Sequence, residues 1–126
     1  MDEHVLDASA ILASVLREDG WQRVDSVERR CASSVNVAES ASALTEKGFS
    51  FHAAQILVWS LRLHVIDFDE AQAMEAARLR PITRAFGLSL GDRACLALAA
   101  IRGLPVLTAD HSWQEAAPHL TIKQIR

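Results

Sequence analysis

Short runs of apolar, β-prone residues alternate along this chain with longer stretches of helical periodicity. Strands are predicted at residues 4–6, 31–33, 64–68, 105–107 and 121–125. Helices are predicted between them at residues 8–16, 21–30, 35–47, 51–63, 70–80 and 90–102. This alternation is typical of α/β folds, in which helices connect the strands of a mostly parallel sheet. We therefore predict a three-layer α/β/α fold with a central, mostly parallel sheet.

The length and composition favour one domain over residues 1–126, half of which are apolar. Single domains commonly have about 100–150 residues. No apolar run approaches the roughly 18 residues that span a membrane, and the acidic start at Asp2 and Glu3 does not resemble a signal peptide. We expect a cytoplasmic protein without membrane association. Because Cys31 and Cys95 lie far apart in sequence, we expect two small buried residues rather than a redox pair.

The chain carries 13 basic and 16 acidic side chains, so its net charge is −3. A protein that holds nucleic acid by charge alone normally shows a basic excess or a basic stripe. Neither is present in this sequence. A polyanionic substrate would therefore need a local source of positive charge, such as bound metal ions.

Four acidic residues stand where apolar strands end or apolar helices begin. Asp7 follows the first predicted strand and Asp110 follows the fourth. Because the carboxyl ends of parallel strands lie along one edge of a sheet, these two residues can meet there. Glu39 and Asp92 interrupt helical stretches whose neighbouring residues are small or apolar. Four carboxylates in one cleft would repel each other unless cations were bound among them.

Such a cluster of carboxylates suits a hard divalent cation. Mg²⁺ and Mn²⁺ prefer oxygen ligands, keep several waters and bridge phosphate oxygens. A bound ion lowers the pKa of a water to make a nucleophile, and a second ion can stabilise the leaving oxygen. The pattern therefore predicts metal-assisted hydrolysis of phosphodiester bonds.

Each acid also has a purely structural interpretation. Asp7 and Asp110 could be N-caps of the helices that follow them. Asp92 completes an S-x-x-D capping pattern that begins at Ser89. Glu39 could be an ordinary surface residue. Only the four residues taken together favour a site.

A phosphorelay receiver is an alternative for the whole chain, since it is also a small α/β domain with acids at strand ends. Receivers need adjacent acids after the first strand, whereas Asp7 stands alone. They also need a lysine near the last strand, whereas Lys123 lies inside that predicted strand.

Four segments carry a resemblance to a known family: VLDASAIL at residues 5–12, VAE at 37–39, LSLGDRACLALA at 88–99 and VLTAD at 106–110. In their order and spacing they resemble the PIN-domain ribonucleases, in particular the VapC toxins of bacterial toxin-antitoxin pairs. The resemblance extends over essentially the whole chain and implies a PIN-like fold.

The resemblance also implies roles for individual residues. Three aspartates would bind a catalytic Mg²⁺ or Mn²⁺ directly: Asp7, Asp92 and Asp110. Glu39 would contact the ion directly or through water. The hydroxyls of Ser9 and Thr108 match family positions that help to hold the acids or a water.

Substrate and partners are implied in the same way. The resemblance implies an endoribonuclease that cleaves tRNA or rRNA, forms a homodimer and is inhibited by a VapB-like antitoxin. Arg93 is a candidate for binding RNA phosphate, because arginine recognises phosphate with two parallel hydrogen bonds, or for pairing with a carboxylate. A catalytically inactive PIN-like interaction module is the alternative within the same fold.

Overall fold

Five short parallel strands form the centre of the molecule, in a computed structural model that describes residues 2–126. The strands are β1 (Glu3–Leu6), β2 (Arg29–Ser33), β3 (His64–Ile66), β4 (Val106–Thr108) and β5 (Ile122–Gln124). Their order in the sheet is β3-β2-β1-β4-β5, and every neighbouring pair is parallel. The predicted α/β class is confirmed.

Seven helices connect the strands. They are α1 (Ala8–Leu16), α2 (Trp21–Asp25), α3 (Ser34–Glu46), α4 (Phe51–Trp59), α5 (Glu70–Thr83), α6 (Leu90–Arg102) and α7 (Trp113–Ala116). A short 3₁₀ helix, Arg84–Phe86, follows α5.

The sheet has an apolar core on each face, because successive strand residues point to opposite sides. Val5 packs with buried residues of α5, α6 and α7, whereas the next residue, Leu6, packs with residues of α1 and α2. The middle of α6 is buried all round, from Ala94 to Ala99. The predicted three-layer arrangement is therefore confirmed, with α6 as its most buried helix.

The strand order reverses at β1. Val5 pairs with Cys31 of β2 on one side and with Val106 of β4 on the other. The chain adds β2 and β3 outward in one direction and β4 and β5 in the other. In open α/β sheets, ligands bind beyond the carboxyl ends of the strands at such a reversal. That position is occupied here by the residues that follow Leu6 and Leu107.

Five helices begin with a polar side chain that accepts a hydrogen bond from a backbone N–H of the first turn. These N-caps are Asp7, Ser33, Ser50, Asp69 and Ser89. Such residues satisfy a donor that has no partner within the helix. At Asp69 the cap is one-sided, because Gln72 donates its side-chain amide to the carbonyl of Asp67 instead of completing a capping box.

The prediction of one helix over residues 21–30 is wrong, because α2 ends at Asp25 and β2 begins at Arg29. Arg29 pairs with Glu3 in the sheet, and this pairing outweighs the local helical periodicity. The predicted helix over residues 51–63 is also too long. It ends at Trp59, and Arg62 reverses the chain with a φ of 53°.

The predicted end of the fifth helix at residue 80 is wrong, because α5 continues through Pro81 to Thr83. The exposed proline removes one backbone hydrogen bond, while buried Leu79 and Thr83 anchor the last turns on either side. Thr83 donates its hydroxyl to the carbonyl of Leu79 at 2.9 Å, which supports the turn around the proline. The four-residue α7 was not predicted, because it is too short to show a period.

Cys31 and Cys95 are both free and buried, as predicted. Within residues 2–126, the longest apolar helices fall short of what a membrane crossing requires.

Candidate functional site

Asp7 lies at the strand reversal, directly after β1. Its Oδ1 accepts hydrogen bonds from the Ser9 hydroxyl at 2.6 Å and from the backbone N–H of Ala10 at 2.9 Å. Its Oδ2 accepts a hydrogen bond from the Thr108 hydroxyl at 2.7 Å. The residue is only 5% exposed. Three neutral donors therefore fix both oxygens of a nearly buried carboxylate, and the N-cap interpretation of Asp7 is confirmed.

The two hydroxyls that hold Asp7 also join the ends of β1 and β4. Ser9 Oγ accepts a hydrogen bond from the Ala109 N–H at 2.9 Å, and Thr108 Oγ1 accepts one from the Asp110 N–H at 3.0 Å. A hydroxyl can donate one hydrogen bond and still accept others. The loop after β4 is therefore tied to the Asp7 carboxylate through these two side chains.

Burial raises the pKa of Asp7 from 3.8 to about 6. The hydrogen bonds from Ser9, Thr108 and Ala10 act in the opposite direction, because they stabilise the charged form. The negative charge of Asp92 raises this pKa further, which places Asp92 within electrostatic reach of Asp7. Asp7 consequently titrates close to neutral pH.

Asp92 lies in the first turn of α6. Its Oδ2 accepts the Ser89 N–H at 2.9 Å, and its own N–H donates to Ser89 Oγ at 3.1 Å. The capping box predicted for these two residues is confirmed. Capping does not exclude a second role, since a carboxylate has two oxygens and about four lone-pair positions.

Glu39 projects from α3 towards the start of α6. Its Oε1 accepts a hydrogen bond from Asn36 Nδ2 at 2.9 Å, and the same nitrogen donates to the Gly91 carbonyl at 3.0 Å. The Glu39 carboxyl group occupies the space that a side chain at Gly91 would need. Glu39 is therefore held against Gly91 in the first turn of α6, although the residue as a whole is exposed.

The buried thiol of Cys95 senses the charge of three of the predicted acids. Burial raises the pKa of Cys95 well above its usual value, and the negative charges of Asp7, Asp92 and Glu39 each raise it further. These three carboxylates therefore lie within electrostatic reach of the same buried thiol.

Asp110 is placed differently from the other three acids. Its backbone N–H is part of the Asp7 network, but its Oδ1 accepts hydrogen bonds from the Ser112 N–H at 2.9 Å and the Ser112 hydroxyl at 2.7 Å. The N-cap of α7 is Ser112, so the interpretation of Asp110 as that N-cap is wrong. Asp110 instead stabilises the turn before the helix.

Arg93 connects α6 to α5. Its Nη1 donates a hydrogen bond to the carbonyl of Ala76 at 2.9 Å. Among residues 2–126 its guanidinium does not pair with a carboxylate, so that alternative is wrong. Binding of RNA phosphate by Arg93 stays a prediction.

The electrostatics of the site fit a divalent cation. Within residues 2–126, the ion pairs include none of the four predicted acids, which are Asp7, Glu39, Asp92 and Asp110. Their hydrogen-bond donors are neutral, so the negative charge is positioned without being cancelled. Carboxylate oxygens with uncompensated charge are the donor set that Mg²⁺ and Mn²⁺ prefer.

The side chains of the four predicted acids do not converge on one point. Among the described residues, no three His, Cys, Asp or Glu side chains are close enough together to hold a single ion. The donor set thus fits the cation in its chemistry, and joint ligation would require the acid side chains to move closer together.

A family model described as the PIN domain matches residues 4–118. The chain belongs to the PIN domain family. Three solved structures show the extent of the likeness in fold. The chain is 23% identical to one in a DNA-bound VapBC complex from Salmonella typhimurium, with a TM-score of 0.79 and coverage of 100% of both chains.

For VapBC2 from Rickettsia felis bound to a promoter DNA fragment, the identity is 16% and the TM-score 0.75, with 97% of this chain and 98% of that chain covered. For VapBC-5 from Mycobacterium tuberculosis, the identity is 23% and the TM-score 0.68, with coverage of 100% and 99%. A search of curated proteins found no match. The predicted resemblance to the PIN domain family is confirmed, and the chain shares its fold with the matched chains of these VapBC structures.

Two residues that contact Glu39 were not identified from the sequence. Asn36 and Gly91 contact Glu39, but neither is a type of residue that signals chemistry. The spacing of Asn36 three positions before Glu39 is one available signal, because residues i and i+3 are neighbours on a helix. The bond between Asn36 and Gly91 has no such signal, since 55 positions separate them.

Proposed function

We propose that this PIN domain is a Mg²⁺- or Mn²⁺-dependent endoribonuclease that hydrolyses phosphodiester bonds in structured RNA, such as tRNA or rRNA. The observation that carries the proposal is that the acids beside the strand reversal accept hydrogen bonds from neutral donors alone: Asp7 after β1, Glu39 against Gly91 and Asp92 in the first turn of α6. This arrangement concentrates negative charge beside the strand reversal, where α/β sheets bind ligands.

The ion would be held by Asp7, Asp92 and Asp110, with Glu39 in direct or water-mediated contact. When bound, a divalent ion supplies Lewis acidity, which activates a water and offsets the charge of the phosphate. Ser9 and Thr108 hold the Asp7 carboxylate in its orientation. The raised pKa of Asp7, about 6, means that this carboxylate gains a proton when the pH falls slightly below neutral.

The cation also explains how a chain with a net charge of −3 could approach RNA. Carboxylates alone repel a phosphate backbone. A bound divalent ion reverses the local sign of the charge and can contact phosphate oxygens.

The proposed biological role is that of the toxin of a toxin-antitoxin pair, acting as a homodimer and inhibited by a VapB-like antitoxin. Support comes from the similar solved structures, which are VapBC complexes. Co-expression with the product of an adjacent gene tests this part, and rescue of growth is the expected result.

The nuclease is tested with purified protein and total RNA, in Mg²⁺, in Mn²⁺ and in EDTA. We expect cleavage that requires the ion and is lost in Asp7→Asn and Asp92→Asn. Asp69→Asn is a matched control, because Asp69 also N-caps a helix but lies outside the site. Equal cleavage by Asp7→Asn and the wild type, with the same ion requirement, would show that the assignment is wrong.

An inactive PIN-like module is the second candidate, because each of the four acids already accepts hydrogen bonds and no three of the described acids converge on one point. The same assay decides between the two, since this module would leave RNA intact at every ion concentration.

A further inference from the structure

We propose that Asn36 and Gly91 are positioning residues that hold the Glu39 carboxylate against the first turn of α6 and thereby raise the affinity of the site for its divalent ion. The inference rests on the proposed function. It adds two residues that are neither acids nor hydroxyls.

The amide of Asn36 can occupy this position in one orientation only. Its Nδ2 faces two acceptors, Glu39 Oε1 at 2.9 Å and the Gly91 carbonyl at 3.0 Å. A flipped amide would place an oxygen against both, which no hydrogen bond could compensate. Asn36 is 1% exposed, so water cannot replace these bonds easily. The side chain therefore connects the Glu39 carboxylate to the first turn of α6.

Asn36 keeps this role at a cost to stability. Within residues 2–126 its buried Oδ1 has no hydrogen-bond partner. A buried polar atom without a partner destabilises the folded state. An apolar residue would avoid that cost, so packing alone does not account for an asparagine at this position.

Gly91 provides the space for the carboxyl group. A Cβ at this position would overlap Glu39 Oε1, Oε2 and Cδ. Gly91 is helical and does not have the positive φ of the glycines at 20, 48, 87 and 103. The backbone therefore does not require glycine here, whereas the neighbouring carboxylate does.

This combination makes Gly91→Ala the sharpest test. Alanine is a better helix former than glycine, and the atoms that it displaces are the tip of a flexible side chain. The variant should therefore melt at the same temperature as the wild type or higher. It should nevertheless bind Mn²⁺ about 10–100-fold more weakly, the usual effect of losing a group that orients a metal ligand.

The experiment measures Mn²⁺ binding by EPR of the free ion, together with thermal unfolding and RNA cleavage. Asn36→Ala should weaken Mn²⁺ binding in the same way as Gly91→Ala. Ser40→Ala is the matched control, because Ser40 is buried in the same helix and its hydroxyl donates to the Asn36 carbonyl, not to the Glu39 carboxylate. In a Glu39→Gln background, Gly91→Ala should cause no further loss of Mn²⁺ affinity, since the two changes act through one carboxylate.

The outcomes separate this inference from the proposed function. If the wild type and Asp7→Asn both fail to bind Mn²⁺ and to cleave RNA, both proposals are wrong. If the wild type binds and cleaves while Gly91→Ala and Asn36→Ala match it in Mn²⁺ affinity, only the positioning role is overturned. A loss in Gly91→Ala that persists undiminished in the Glu39→Gln background also overturns it.

Discussion

The acidic residues at the two ends of the parallel sheet have different kinds of partner. At the amino end, acids contact basic side chains: Asp2 with His4, Glu3 with His64, and Asp25 with Arg17 and Arg30. At the carboxyl end, acids accept hydrogen bonds from neutral hydroxyl, amide and backbone groups: Asp7, Glu39, Asp92 and Asp110.

The difference concerns charge rather than the number of hydrogen bonds. A charged partner such as arginine fixes a carboxylate and also cancels its charge, so little attraction for another cation remains. A neutral donor fixes the same carboxylate and leaves its charge in place. At the amino end the arginines cancel the charge of Asp25 in this way, whereas the four acids at the carboxyl end keep the negative charge that attracts a divalent ion.

Neutralising Asp7 should reduce the negative charge at the carboxyl end and have the largest effect on RNA cleavage. We expect Asp7→Asn to lower the rate of RNA cleavage at least about 100-fold. Mutating a residue that only orients a metal ligand already lowers metal affinity or activity about 10–100-fold. The fold should survive, because asparagine is also a good N-cap. Initial rates in Mg²⁺ and circular dichroism check the two parts. A variant that keeps the wild-type rate would contradict the prediction.

The uncompensated charge should also be visible as a pH-dependent loss of stability in the metal-free protein. Asp7 has a raised pKa in the folded state, so between pH 4 and 6 the unfolded chain loses its proton first. The free energy of unfolding should therefore fall across this window relative to that of Asp7→Asn. The difference between a pKa of 3.8 and one of about 6 corresponds to about 3 kcal/mol.

Urea unfolding of both proteins in EDTA at pH 4, 5, 6 and 7 measures this effect. The penalty is absent below the unfolded pKa and complete above the folded one. If the free energies of unfolding of the wild type and Asp7→Asn depend on pH in the same way, burial does not raise the pKa of Asp7.

Removing one neutral donor sharpens the comparison. Thr108→Val deletes the hydrogen bond to Asp7 Oδ2, together with the one that Thr108 accepts from the Asp110 N–H, with little change in shape. Because that bond favours the charged form, the pKa of Asp7 should rise above about 6. We expect about a 10-fold loss of cleavage, and the acid limb of the pH-rate profile should move to higher pH. An acid limb at the same pH as in the wild type would show that Thr108 does not affect the pKa of Asp7.

The smallest effect is expected at the amino end. Asp25→Asn removes the ion pairs with Arg17 and Arg30, which lie at the surface and are partly exposed. Exposed pairs contribute about 0–1 kcal/mol, so unfolding should change by no more than that and the change should shrink in high salt. Cleavage should be unaffected. A large loss of cleavage would mean that the two ends do not differ in the proposed way.

Much of the fold could be predicted from sequence. The bounds of α1 and α6 agree with the prediction, because each helix has a polar N-cap and a continuous apolar pattern. The placement of Asp7 and Asp110 after parallel strands also followed from the pattern. Local periodicity predicted the wrong structure where a tertiary contact determines it. At the start of β2 the chain is a strand because it pairs with β1.

The sequence by itself determined which residues are acidic, which strands they follow and which helices they cap, since these properties depend on neighbours within about four positions. The tertiary structure decided which groups hold those acids. Thr108 reaches Asp7 across 101 positions, and Asn36 reaches Gly91 across 55. Hydrogen bonds over such separations depend on how strands and helices pack, and no local pattern encodes them. Whether a carboxylate keeps its charge or has it cancelled is therefore a property of the folded chain.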